Sequence, residues 1–296
     1  MLTQNKSLGG QKLTHLIQGV RRGFTQARKL VRQNDFSPYV MENYQIEGCQ
    51  FDFLIGDMDG EEWYRDNNLA ANPHPNIGRV CLEMRFVKEK MVAAGDTIFE
   101  CGGHHGCTGL MLSQWVGATG KVVSFEPNPD NIEIFSKNIA INQTSNLLLE
   151  KKALGRELGS LKIFRKSNGA IATNQLLSVG TLKNFFYGVE EVEVTTLDSY
   201  ARNTNLHPNL LKIDVEGYEA EVLKGATEIL RTAPKLAIEL HTEILGRYGT
   251  SVKEILDLID VSRYQCWVQW NLKDAPVPFD LQQEIDRYVH LFCIPL

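Results

Sequence analysis

Two short apolar runs end in residues that can do proton or metal chemistry. In Leu211, Lys212, Ile213, Asp214, Val215, Glu216, Gly217 the acids Asp214 and Glu216 stand two apart, and in Ile238, Glu239, Leu240, His241 so do Glu239 and His241. Residues two apart on a strand share a side. If both runs are parallel strands, these groups fall at their carboxyl ends, where open α/β sheets bind ligands. Carboxylates and an imidazole there could take the proton from a hydroxyl nucleophile, with His241 or Asp214 as the base. The same atoms could hold a divalent cation, or serve only as structural hydrogen-bonding groups. The spacing leaves all three readings open.

A second set of residues reads as a ligand cradle. Glu100 closes an apolar run and is followed by Cys101, Gly102, Gly103, His104, His105 and Gly106 before an amphipathic stretch. Glycines let a chain turn sharply and approach a ligand, and a helix start offers free N–H groups. The run departs from the GxGxxG of a dinucleotide turn, which disfavours an oxidoreductase. Its acid-x-Gly-x-x-x-Gly order suits a methionine moiety instead, with Glu100 toward the ammonium end and no pyrophosphate to accommodate. Some twenty residues on, Phe125, Glu126, Pro127, Asn128, Pro129 ends the next apolar run. The two oxygens of Glu126 match the vicinal hydroxyls of a ribose, and Asn128 lies beside them. The expected cofactor is therefore S-adenosylmethionine, and the expected reaction is in-line methyl transfer to a positioned nucleophile. A tight turn without ligand, and a helix-capping Glu126, are the structural alternatives.

These motifs need a sheet to hold them. Apolar runs at 97–101, 121–126, 147–153, 210–216, 235–240, 265–270 and 290–294 alternate with helical patterns at 106–116, 129–141, 218–230 and 252–259, which predicts an α/β domain with a parallel sheet covered on both faces. A strand at 160–165 leads into a long connection over 167–191, and residues 39–76 carry turn signals around short aromatic strands such as 51–55; both are candidates to cover a site. The 296 residues, 43% apolar and 23% charged, suit one main domain with an extension. We divide the chain into a basic amphipathic helix (1–34), an extension (35–94) and a cofactor-binding domain (95–296). The six cysteines form no CxxC pair and read as reduced, buried thiols.

The net charge of −5 conceals a first segment with seven basic residues and no acid before Asp35. Its apolar residues recur at helical spacing. Such a helix could lie on an anionic membrane surface, direct the chain to an organelle, or pack on its own domain. Without a secretory leader pattern the default compartment is the cytoplasm, with peripheral membrane contact through that helix as the variation. The acidic remainder makes nucleic acid an unexpected partner.

In this order the three motifs resemble those of the FkbM family of S-adenosylmethionine-dependent methyltransferases. The likeness runs from about Gly95 to Glu239. It includes Val194, Thr195, Thr196, Leu197, Asp198, Ser199, Tyr200 and, as its most specific part, the stretch from Lys212 to Ala226. It implies a Rossmann-like class I methyltransferase fold, a mostly parallel seven-stranded sheet with an antiparallel last strand. It implies O-methylation of a hydroxyl on a sugar, polyketide or similar small molecule. By position, Glu100, Gly102 and Gly106 would hold the methionine portion, Glu126 the ribose, and Asp214 and Glu216 the acceptor side, while Ala153 stands where the family approaches the adenine. Glu100 replaces the family's usual Asp, and Gly103 and His104 its Ala-Asn pair, so a catalytically degenerate or scaffold member is the alternative.

Overall fold

The computed structural model describes residues 36–65, 71–74, 78–164, 188–280 and 282–296. The basic helix expected over 1–34 and most of the connection expected over 167–191 lie outside them. The chain forms two compact units, residues 1–40 with 55–68, and residues 41–54 with 69–296. In the first, Asp57 caps a helical turn, its Oδ1 accepting from Gly60 N at 2.9 Å, and the Tyr39 hydroxyl donates to Glu61 Oε2 at 2.6 Å.

The strands β1 (Tyr39–Ile46), β2 (Cys49–Ile55), β3 (Ala71–His74) and β4 (Gly78–Val80) form a four-stranded sheet in the order β2-β1-β4-β3. The tip of the β1–β2 hairpin is tied to α1 (Leu82–Phe86), because Glu47 accepts from Cys81 N at 2.7 Å and pairs with Arg85.

The remaining elements alternate. They are β5 (Thr97–Cys101), α2 (Cys107–Val116), β6 (Lys121–Phe125), α3 (Pro129–Asn142), β7 (Leu147–Glu150), β8 (Ala153–Leu154), β9 (Gly159–Phe164), β10 (Val189–Thr195), α4 (Leu197–Thr204), β11 (Leu210–Ile213), α5 (Glu219–Lys224), α6 (Thr227–Arg231), β12 (Lys235–Leu240), α7 (Thr242–Leu245), α8 (Val252–Ile259), β13 (Tyr264–Gln269), β14 (Val277–Pro278) and β15 (Val289–Pro295). Eight strands make the central sheet in the order β14-β13-β15-β12-β11-β5-β6-β7. From β12 to β7 all neighbours are parallel, and β15 runs antiparallel between β12 and β13. This is the mostly parallel α/β sheet with an antiparallel last strand that the sequence predicts, with the two-residue β14 added at one edge.

Strands buried on both faces must be apolar throughout. Ile98, Phe99, Leu211, Ile213, Leu236 and Ile238 meet that demand with exposures of 0 to 1%. One row breaks it: Lys212 of β11 pairs in register with Glu100 of β5, which pairs with Ser124 of β6, and all three are buried.

Several expected boundaries move. The third strand stops at Glu150 rather than 153, and Ala153 instead opens β8, which pairs with β10 in a separate three-stranded sheet. The lysines Lys151 and Lys152 interrupt the apolar run at that point. The strand expected over 210–216 ends at Ile213, since Asp214 to Gly217 form a turn in which Glu216 and Gly217 take positive φ (54° and 94°). The helix over 218–230 divides into α5 and α6 at Gly225 and Ala226. Its second half is capped from α4, where Asp198 accepts from Glu228 N and Ile229 N at 2.9 and 3.0 Å.

Candidate active site

The sheet order turns about at β5, which has β6 on one side and β11 on the other. Ligands of open α/β sheets bind at such a switch point, outside the carboxyl ends of the strands. Glu100 and Asp214 both stand there. Cys101 and Ile213 are register partners, and Asp214 N continues the ladder to Cys101 O at 2.9 Å.

Between β5 and α2 the chain turns tightly. Gly102 has φ +92°, and a Cβ on it would lie 1.8 Å from Asp214 O, so only glycine lets the two strand ends meet. A Cβ at Gly106 (φ +91°) would lie 2.2 Å from Phe135 Cδ2, and one at Gly103 would lie 2.5 Å from the same ring. Phe135, on α3, thus floors the turn. Gly102 N and Gly103 N donate to Phe125 O at 2.9 and 3.1 Å, and Gly106 N donates to Gly103 O at 2.8 Å, so these N–H groups turn inward. His104 has φ +47°, and its ring stacks on that of His105 at 3.9 Å and 10°. Burial pushes the His105 imidazole down to about 3 and keeps it neutral. Asn138 fastens the back of the turn, donating to His105 O at 2.9 Å while its Oδ1 accepts from Leu54 N at 2.7 Å.

Glu126 is 4% exposed and accepts from His104 N at 2.8 Å on Oε2, and from Asn128 N at 2.9 Å and Asn131 Nδ2 at 3.2 Å on Oε1. A carboxylate offers about four acceptor directions. Three are used, and the one left belongs to Oε2. Burial raises the Glu126 carboxyl to about 7, against the opposing effect of those bonds. Asn128, 1% exposed, caps α3 through its Oδ1, yet its buried Nδ2 has no hydrogen-bond partner among the described residues. The chain just past β6 thus carries a spare acceptor on Glu126 and, two residues on, an orphan donor on Asn128. Glu100 is buried too; its Oε2 accepts from Ser124 Oγ, and burial lifts its carboxyl to about 7 while Ser124 and Lys212 oppose the rise. Ala153, 6% exposed, pairs with Val194 of β10.

Across the switch point lies a charged cluster. His241 Nδ1 is 2.8 Å from Glu219 Oε1, and its Nε2 is 3.5 Å from both Glu216 Oε2 and Glu239 Oε1. Burial opposes charge on this imidazole, but Glu219, Glu239, Glu216 and Asp214 overcome it and raise His241 to about 9. Asp214 and Glu216 keep 35% and 41% side-chain exposure. Burial and the neighbouring Glu239 hold the Asp214 carboxyl well above the usual range. Behind them Lys212 Nζ lies 3.2 Å from Glu83, 3.8 Å from Asp214 and 4.0 Å from Glu239. His290 Nε2 lies 3.3 Å from Glu239 Oε2 and 3.6 Å from Glu83, its Nδ1 is 2.7 Å from Gln269 Oε1, and the Tyr288 hydroxyl bonds Glu239. Burial works against a charged Glu239, but His290, Lys212 and His241 outweigh it and hold the carboxyl far below its ordinary value.

The family model for the methyltransferase FkbM domain matches residues 100–266, more than half of the sequence. This chain belongs to the FkbM methyltransferase domain family. Among curated proteins it is 24% identical to the hexuronic acid methyltransferase AglP of Haloferax volcanii over 169 residues, 57% of this chain and 63% of that one. It is 29% identical to Methyltransferase 1 of Beauveria bassiana over 143 residues, 43% of this chain. The matched stretches span 63% and 57% of those relatives. Among solved structures, Aeropyrum pernix fibrillarin with natively bound S-adenosyl-L-methionine aligns at 12% identity and a TM-score of 0.43, over 86% of this chain and 98% of that one.

Within this FkbM domain, Asp214, Glu216, Glu239 and His241 do come together, though not by strand alternation. A turn carries Asp214 and Glu216, and His241 lies past the end of β12 at the N-cap of α7. Glu83, Lys212, Glu219, Tyr288, His290 and Gln269 were given no site role by sequence reasoning. Lys212, a charged residue inside a wholly apolar run, carried a signal. Glu219, two residues past Gly217 and inside the stretch of likeness from Lys212 to Ala226, carried one as well, whereas Glu83, Tyr288, His290 and Gln269 act through space from distant elements and carried none.

Proposed function

We propose that this FkbM domain transfers a methyl group from S-adenosylmethionine to a hydroxyl of a small molecule or sugar. The observation that carries the reading is the pairing of buried Glu126, with one acceptor direction left on Oε2, and the orphan Nδ2 of Asn128 at the sheet's switch point. In this reading Glu126 accepts from a ribose hydroxyl, Asn128 donates to the nucleoside, and the methionine end lies over the turn from Glu100 to Gly106. The cofactor supplies an electrophilic methyl carbon. The protein's part is to place an acceptor oxygen in line with it, about 3 to 3.5 Å away. In this reading Asp214 and Glu216, the exposed carboxyls of the cluster, receive the hydroxyl proton as the carbon–oxygen bond forms. Glu219 and Glu239 hold His241 beside them. A sugar acceptor is favoured by the match to a relative named as a hexuronic acid methyltransferase.

The test is transfer of tritiated methyl from S-adenosylmethionine to a panel of uronic acids, neutral sugars and small hydroxyl compounds. Label is expected in at least one acceptor, with loss of transfer in Asp214→Asn. Donor binding without label in any acceptor would support a scaffold protein with the same fold.

A further inference from the structure

Asp214, Glu216 and His241 each offer one ligand atom, and the three atoms lie within 4.8 Å of one another. Ligands bound to one ion at about 2.0 to 2.2 Å stand roughly 3 to 4.4 Å apart, so small side-chain adjustments bring these three onto a common centre. His241 is arranged as a metal ligand would be: its Nδ1 is taken by Glu219 at 2.8 Å, which leaves Nε2 facing the acids. A carboxylate behind a ligating imidazole is the usual outer partner of such a site.

Glu219 supplies the second observation. It is 0% exposed, and its Oε1 takes both His241 Nδ1 and Gly217 N, yet its Oε2 has no hydrogen-bond partner among the described residues. A carboxylate removed from water needs positive charge close by. The His241 ring supplies it, and an ion bound at Nε2 in place of a proton would keep that ring positively polarised toward Glu219. The exposures agree: solvent meets Asp214 and Glu216 at 35% and 41%, whereas Lys212 and His290 are 6% and 3% exposed and already engaged by Glu83 and Glu239. An arriving ligand therefore finds carboxyls first, backed by an imidazole nitrogen. Oxygen ligands with one imidazole suit a divalent metal of intermediate hardness better than an ammonium group, which an imidazole serves poorly.

We propose that Asp214, Glu216 and His241 bind one divalent cation, against which the acceptor's oxygens are oriented. The orienting role rests on the methyltransferase reading; the binding site does not. The experiment titrates the full chain into Mn²⁺ and follows the free-ion signal by electron paramagnetic resonance, in parallel with calorimetry of S-adenosylhomocysteine on the same samples. One Mn²⁺ per chain is expected, with affinity reduced at least about tenfold in Glu216→Gln and in His241→Ala. The exposed Asp257→Asn on α8 should bind as wild type. Glu216→Gln decides the matter if His241→Ala, which strips Glu219 of its partner, fails to fold. No Mn²⁺ bound at about 1 mM, or affinity unchanged within about threefold in a folded Glu216→Gln, overturns the site. S-adenosylhomocysteine binding without Mn²⁺ overturns the cation and leaves the donor reading standing; Mn²⁺ binding without S-adenosylhomocysteine supports the cation and overturns the donor.

Discussion

Replacing Glu126 by Gln separates what this carboxylate does for the fold from what it does for a ligand. The side chain receives one N–H on Oε2 and two on Oε1. A glutamine sacrifices least by keeping its oxygen toward Asn128 and Asn131 and turning its NH₂ toward His104 N. One hydrogen bond to a charged acceptor is lost, about 1.5 to 3 kcal/mol, and a donor is left facing a donor. Against that, the charge is gone from a group 4% exposed whose carboxyl burial raises to about 7. At pH 8 that relief is about 3 kcal/mol, since each tenfold change in proton affinity corresponds to about 1.4 kcal/mol. That relief is already net of the three hydrogen bonds, so the lost bond is not subtracted a second time, and the thermal midpoint of the free protein should hold or rise by up to several degrees. Ligand binding has no such compensation, because the position turned to NH₂ is the one that had an acceptor direction to spare. Losing a charge-assisted bond there costs about 1.5 to 3 kcal/mol, which weakens S-adenosylhomocysteine binding roughly 10- to 150-fold. Calorimetry at pH 8, with a thermal scan of the same sample, reads both numbers. A folded Glu126→Gln chain whose affinity is within about threefold of wild type would refute the ribose role.

Three further perturbations probe the frame around that contact. Glu100 and Glu126 both have folded pKa values near 7, above the value near 4.5 of an open chain, so the native state holds more protons and stability is fullest below about 4.5 and falls as pH rises through 7. Glu100→Gln should remove about 3 kcal/mol of that fall; urea curves at pH 5 and pH 8 that stay parallel to wild type would contradict it. Gly106→Ala sets a methyl 2.2 Å from Phe135 at φ +91° and should cost about 2 to 5 kcal/mol, partly recovered by adding Phe135→Leu. Equal urea midpoints for the single and double variants would sink the packing argument. Lys212→Met leaves Glu83, Asp214 and Glu239 without their shared buried cation and should cost about 3 to 5 kcal/mol; a midpoint unchanged from wild type would show that the cluster discharges by taking up protons instead.

How much of the molecule is legible in its sequence depends on the range of the interaction. Thr97–Cys101, Lys235–Leu240 and Val252–Ile259 have the bounds their apolar patterns predict, because burial of a strand or a helix face is written into consecutive residues. The third strand reads too long past Glu150, as Ala153 and Leu154 are apolar for the sake of another sheet, one that includes the unforeseen β10. In the site, Glu126 and Asn128 are readable from their place at a strand end. The inward use of the turn's N–H groups is not, nor is Phe135 beneath its glycines, since both depend on how α3 packs. Likewise the second row of the cluster, from Glu83 to His290, is assembled from α1, β11 and β15 by contacts that no local spacing records.

If the switch point between β5 and β11 takes an adenosine-bearing thioether through Glu126 and Asn128, the full chain must bind S-adenosylhomocysteine. Titration calorimetry reads this without any assumption about the acceptor, with NADH as the comparison. One site per chain is expected, with a dissociation constant on the order of micromolar, and no heat from NADH. No heat from S-adenosylhomocysteine at about 1 mM, or tighter binding of NADH, would contradict it.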